Sequence, residues 1–174
     1  MKKGTTASVS LAAFLAATYV IGVVVLSPIS FYVYQVRVAD ALLPLSILLG
    51  WPAIIGVTVG AAVANLFGGL GAIDVVGGSL ANLVASLLAW RIGQRGTKPS
   101  WLVAVLTEIF VVTAIVGIYL SFLFGMPIEA GISGVLVGSI IAIGLLGYSI
   151  LVVVSRSAVV RLLRSVRVTV YSEG

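Results

Sequence analysis

Apolar residues run in long blocks along this chain, and polar residues are confined to short breaks between them. Blocks long enough to be membrane spans cover Ser8 to Pro28, Ile73 to Trp90, Trp101 to Phe124 and Ile128 to Val154. The hydrocarbon core of a bilayer is about 30 Å thick, so a crossing helix needs roughly 20 such residues. A fifth apolar region, Val38 to Phe67, is interrupted by Gly50-Trp51-Pro52. Proline lacks an amide donor and pushes the preceding residue out of helical geometry. The tripeptide therefore predicts a turn between two short helices, with one kinked helix as the alternative.

Charge decides between the two. With a turn at Gly50 to Pro52 there are six spans, and nine of the ten basic residues fall on one side: Lys2, Lys3, Arg91, Arg95, Lys98, Arg156, Arg161, Arg164 and Arg167. Arg37 alone lies opposite. With five spans the basic groups would divide across the membrane. Basic residues are retained on the cytoplasmic side, so the expected architecture is all-α: a polytopic cell-membrane protein, six transmembrane helices in one bundle, both termini cytoplasmic. Residues 1–174 form a single transmembrane domain, and the apolar run after Lys2 and Lys3 is read as a retained first helix. The two helices flanking Pro52 are short and need shielding by neighbours, because unpaired backbone is costly in lipid. Residues 156–167, with arginines about one turn apart, predict a cytoplasmic amphipathic helix on the membrane surface or on a partner. Ser30 to Val38 alternates partly and reads as an extended outer loop or short strand.

Composition agrees: 61% of residues are hydrophobic and 9% charged, with a mean hydropathy of +1.28, whereas soluble domains carry about 25% charged residues. The net charge of +5 is assigned to cytoplasmic ends rather than to nucleic acid. Cysteine and histidine are absent. That removes disulfides, thiol nucleophiles, imidazole bases and the usual transition-metal ligands. No cofactor is expected. An intramembrane enzyme would need paired carboxylates, and Glu108 has no evident deep partner.

Polar groups inside spans are expensive and mark cavities or partners. The candidates are Asn65, Ser79, Asn82, Glu108, Thr113 and Ser139. Asp40, Asp74 and Glu129 gather at the outer helix ends, where Asp74 and Glu129 also suit first-turn capping. The turn Leu66-Phe67-Gly68-Gly69-Leu70-Gly71 is glycine-rich but is followed by no Lys-Ser or Lys-Thr, so it is no P-loop. Small residues recur every fourth position: Ala12 with Ala16, Ala13 with Ala17, Gly56-Gly60-Ala64, Gly77-Ala81-Ala85-Ala89 and Gly134-Gly138-Ala142. Such stripes let helix backbones approach closely.

The string from Ala64 to Ala81, ANLFGGLGAIDVVGGSLA, closely resembles the signature of the QueT family, and Gln35 to Leu42 resembles its motif at the start of the second helix. Those proteins are substrate-binding S components of energy-coupling-factor (ECF) transporters. The resemblance implies a six-helix subunit with an outward pocket for a queuosine precursor, a 7-deazaguanine base. It also implies partners: a membrane coupling subunit and two ATPases. Docking to that subunit is expected through Ala12, Ala13, Ala16 and Ala17. The expected substrate-binding residues are Glu108, Asn65, Asn82, Asp74 and Arg37. Two positions depart from the family pattern: Thr113 stands near an expected asparagine, and Gly138-Ser139 replaces Gly-Glu. Glu108 and Ser139 sit at similar depth, so a carboxylate on the fifth helix is a candidate substitute for one missing from the sixth. The competing expectations are an S component for another small vitamin-like ligand and a non-transport membrane assembly subunit.

Overall fold

A computed structural model describes residues 3–31 and 35–171. Lys2, the Lys3 side chain and residues 32–34 of the expected outer loop lie outside the described residues. The described residues form the helical elements α1 (Lys3–Val25), α2 (Ser27–Ser30), a 3-10 turn (Val38–Leu42), α3 (Leu45–Leu49), α4 (Trp51–Gly68), α5 (Ala72–Gly93), α6 (Lys98–Phe124), α7 (Ile128–Ser139), a π-helical stretch (Ile140–Gly147), α8 (Tyr148–Val154) and α9 (Ser157–Ser165), joined by short non-helical connections. Five helical units are long and apolar enough to cross a bilayer: α1, α4, α5, α6 and the continuous run Ile128–Val154. Their outward faces are apolar, with Phe14, Phe67, Phe110 and Phe122 all exposed. Lipid accommodates such a surface and water does not.

The expected second helix is broken. Leu43 N–H donates to the Asp40 carbonyl at 3.0 Å, a 3-10 bond. Proline at position 44 has no N–H to continue an α-helical ladder from Asp40. The chain then takes one short α-turn, α3, and stops at Gly50, whose φ of 61° and ψ of −135° favour glycine. As a helix Val38–Leu49 would cover about 18 Å, short of the bilayer core. The break also frees the Leu48 carbonyl, because its α-helical partner would be Pro52. Tyr171 N–H from the C-terminal tail donates to it instead, at 2.8 Å. The Tyr171 ring meets Trp90, and Trp90 meets Trp51, each pair with centroids 5.7 Å apart. This aromatic layer closes the end of the bundle near Gly50.

Glycines set the helix contacts. At Gly56 an added Cβ would meet Ala12 and Leu15; at Gly60 it would meet Ala16 and Tyr19. The contacts rise together in sequence, so α1 and α4 run parallel. Helices α4 and α5 form an antiparallel hairpin through Gly69, in the left-handed conformation, and Gly71. Gly117 and Gly131 bring α6 and α7 together. Within lipid, where hydrophobicity does not join helices, these close approaches supply the packing energy. Among the small-residue stripes, those of the α4, α5 and α7 helices therefore serve the bundle itself. The α1 stripe divides: Ala12 and Ala16 are half-buried against α4, while Ala13 and Ala17 are exposed.

Candidate functional site

The interior of the bundle holds three layers of polar side chains. Nearest the α4–α5 turn, Asn65 Nδ2 donates to the Asp74 carbonyl at 2.8 Å. Tyr119 donates its hydroxyl to Asp74 Oδ1, also at 2.8 Å. Asp74 stands in the first turn of α5, where capping was an alternative, but its carboxylate is completely buried and accepts from α6. Glu129, in the first turn of α7, is exposed and stands apart from the site.

The middle layer depends on the chain folding back after α2. Val36 N–H donates to the Ile29 carbonyl at 2.9 Å. Gly138 has no side chain, and a Cβ there would collide with the Gln35 carbonyl. Residues 35–37 thus sit against α7, and Arg37 points inward, 6% exposed. Its guanidinium lies over the Phe31 ring at 5.7 Å, and its Nη2 reaches Gln35 Oε1 at 3.5 Å. The charge interacts with Asp40 and Asp74, yet Nε has no hydrogen-bond partner. Asp40 accepts a 2.5 Å bond from the hydroxyl of Tyr19, and that oxygen accepts from Asn82 Nδ2 at 3.0 Å. Tyr19 is entirely buried. Helix α1, the broken segment and α5 are therefore tied together by one tyrosine.

Between these groups lies a cavity. Gln35, Arg37, Asp40, Asn82 and Ser139 form its polar side; Val112, Val116 and Val135 form its apolar side. Its free volume is about 10 Å³, room for about one water. A larger ligand enters only if these side chains move. Of the buried groups without partners, Arg37 Nε belongs to a lining residue, and Asp74 Oδ2 and Asn65 Oδ1 belong to the layer nearest the α4–α5 turn. Such orphaned atoms are rare in folded proteins and call for an explanation.

The third layer is Glu108, fully buried in α6. Ser46 donates to its Oε1 at 3.5 Å, and Oε2 has no partner. Of the five expected site residues, Arg37 and Asn82 line the cavity. Asn65 and Asp74 form the layer beside Arg37. Glu108 lies below and does not line it. Sequence reasoning missed Tyr19, Tyr119 and Gln35, and gave Asp40 only a minor part. The two tyrosines carried a readable signal, since a hydroxyl deep in a span needs an internal partner. Among the described residues no group of three or more acids is placed to hold a metal ion.

Fold and site define a multi-pass membrane protein with an interior polar site flanked by an apolar wall. A model of the QueT transporter family matches residues 9–156. The chain belongs to the QueT transporter family, which assigns it to membrane transport rather than catalysis. No curated protein and no solved structure matches it.

Proposed function

We propose that this chain is the substrate-binding S component of an ECF-type uptake transporter in the cell membrane, and that it takes a 7-deazaguanine queuosine precursor from outside. The observation that carries this reading is the cavity between Arg37, Asp40 and Asn82 on one side and Val112, Val116 and Val135 on the other. A flat heterocycle places its faces on apolar side chains and its edge on polar ones. The base offers ring N–H and amino donors beside a carbonyl acceptor. Asp40 and Asn82 accept and donate along that edge, and charge-assisted bonds to a carboxylate are the strong ones. A cationic aminomethyl substituent is matched by Asp74, with Asn65 fixing the Asp74 backbone. Arg37 balances the two aspartates when no cation is present. Glu108, one layer below Asp40, is the acceptor for a ligand that settles deeper than the present cavity.

The reading includes six crossings with both ends cytoplasmic. Parallel α1 and α4 require the segment between them to return across the bundle, and the broken stretch Val38–Leu49 is that return. Nine of ten basic residues then share the cytoplasmic side, as basic residues prefer. Energy comes from two ATPases acting through a coupling subunit, because the chain has no nucleotide-hydrolysis motif. Ala13 and Ala17 are the docking surface, and Ala12 and Ala16 set the α1–α4 distance behind them.

Calorimetric titration of the purified protein with 7-aminomethyl-7-deazaguanine, 7-deazaguanine, guanine and unrelated vitamins tests the ligand. Saturable binding of the deazaguanines is expected. Binding of an unrelated vitamin alone would assign the chain to another S-component ligand.

A further inference from the structure

Helix α9 follows the last span after a break at Ser155–Arg156, and the bundle covers only part of its apolar arc. Val160 is buried, and Leu163 packs partly against the core. Leu162 and Val166, one turn apart on the adjoining face, are left 64% and 56% exposed. At 100° per residue, Ala158, Leu162, Val166 and Val159 form a continuous apolar sector beside the docked edge. Arg156, Arg161 and Arg167 are exposed along the flanks of the helix and its ends. Water does not favour so wide an apolar sector, and the described residues leave it uncovered.

From this arrangement we infer that α9 is a headgroup-binding helix that lies in the membrane interface and recognises anionic phospholipid. Leu162 and Val166 enter the acyl boundary. The arginines reach phosphate oxygens, which suit guanidinium geometry. The occupant is the bilayer's own anionic lipid because three things coincide: the helix begins at the end of a span, its uncovered face is apolar, and the charged residues of the helix and its two ends are all arginines. Each basic group near an anionic surface adds to the attraction, and salt screens it. The helix thereby fixes the depth of the last span and of the tail that reaches Leu48.

The inference rests on the chain crossing a bilayer, which a separate position can report. The chain has no cysteine, so single-cysteine spin labels are clean. The full-length protein would be placed in nanodiscs of phosphatidylcholine alone and of phosphatidylcholine with phosphatidylglycerol. A label at Phe110→Cys, on the outward face of α6, reads the bilayer reading itself. A label at Leu162→Cys reads α9. The expected result is oxygen accessibility exceeding that of a water-soluble nickel reagent at position 162 with phosphatidylglycerol present. The position should shift toward water in phosphatidylcholine alone, in high salt, and in the triple variant Arg156→Gln, Arg161→Gln, Arg167→Gln. Water exposure at 162 with phosphatidylglycerol present, while 110 reads lipid, overturns the inference. So does a 162 signal closed to both reagents, which would mean a protein partner covers it. Equal lipid exposure in both lipid mixtures overturns the anionic recognition.

Discussion

Removing one oxygen atom tests the interior network. Tyr19→Phe deletes the hydroxyl that donates to Asp40 at 2.5 Å and accepts from Asn82 at 3.0 Å. The ring remains, so no cavity larger than the lost hydroxyl is left in a fully buried site. The loss is therefore polar. Two interhelical bonds at the membrane average of about 0.6 kcal/mol each give a floor of about 1 kcal/mol. Stranding a buried carboxylate oxygen and an amide donor adds to this, and the general cost of an unsatisfied buried group is about 1–3 kcal/mol. A loss of about 2 kcal/mol is expected by reversible unfolding in mixed micelles. Asn82→Ala made alone and together with Tyr19→Phe completes a double-mutant cycle. The two changes share one bond, so their combined cost should fall short of their sum by more than about 0.5 kcal/mol. A loss below about 0.5 kcal/mol for Tyr19→Phe, or strict additivity, would refute the network.

Gly60→Ala should destabilise the fold by about 1–3 kcal/mol in the same unfolding assay, as overpacking does, because the new Cβ meets Tyr19 and the Ala16 carbonyl; a neutral result would mean that α1 and α4 are not in close contact there. Ala17→Trp, on the exposed side of α1, should abolish uptake and co-purification with a coupling subunit while leaving ligand affinity of the isolated protein unchanged; impaired ligand binding would mark Ala17 as bundle packing. Glu108→Gln should weaken ligand binding less than Asp40→Asn does, measured by titration, and the reverse order would place the ligand's polar edge one layer deeper. A cysteine at position 96, between α5 and α6, should resist an impermeant external reagent in intact cells, and labelling there would rule out both ends being cytoplasmic.

The long helices were legible because lipid imposes one rule on them: outward residues are predominantly apolar for a bilayer's thickness, and exposed hydroxyls such as those of Thr18 and Ser149 bond back to their own helix. The run Ile128 to Val154 has the expected bounds in the structure, and α5 and α6 extend only slightly beyond theirs. The broken segment was less legible. The turn at Gly50-Trp51-Pro52 was expected, and the left-handed φ of Gly50 makes it, but the apolar run from Val38 suggested one helix where Pro44 breaks the ladder through its missing donor. The π-helical stretch had no usable signal, since it forms where Gly147 meets Pro44 and Ala41 of that broken segment, a contact between residues far apart in sequence. The same distance hid the site. Asn82 could be marked as a polar group within a span and Arg37 as the lone basic residue on the outer side, but that Tyr19 joins Asp40 to Asn82 depends on how α1 is rotated. Glu108 attracted attention as a carboxylate deep in a span, but depth alone does not say whether a side chain lines the cavity, and Glu108 does not.

Titration of 7-aminomethyl-7-deazaguanine into the wild-type protein, Asn82→Ala and Phe110→Ala, side by side in the same detergent, tests the proposed site most directly. Asn82 lines the cavity, whereas Phe110 lies on the outer face of α6. The expected result is one saturable site in the wild type, the same affinity in Phe110→Ala, and an affinity roughly tenfold weaker in Asn82→Ala, the equivalent of about 1.4 kcal/mol. Absence of saturable binding to the wild type, or equal affinity in all three proteins, would contradict a base held between Arg37, Asp40 and Asn82.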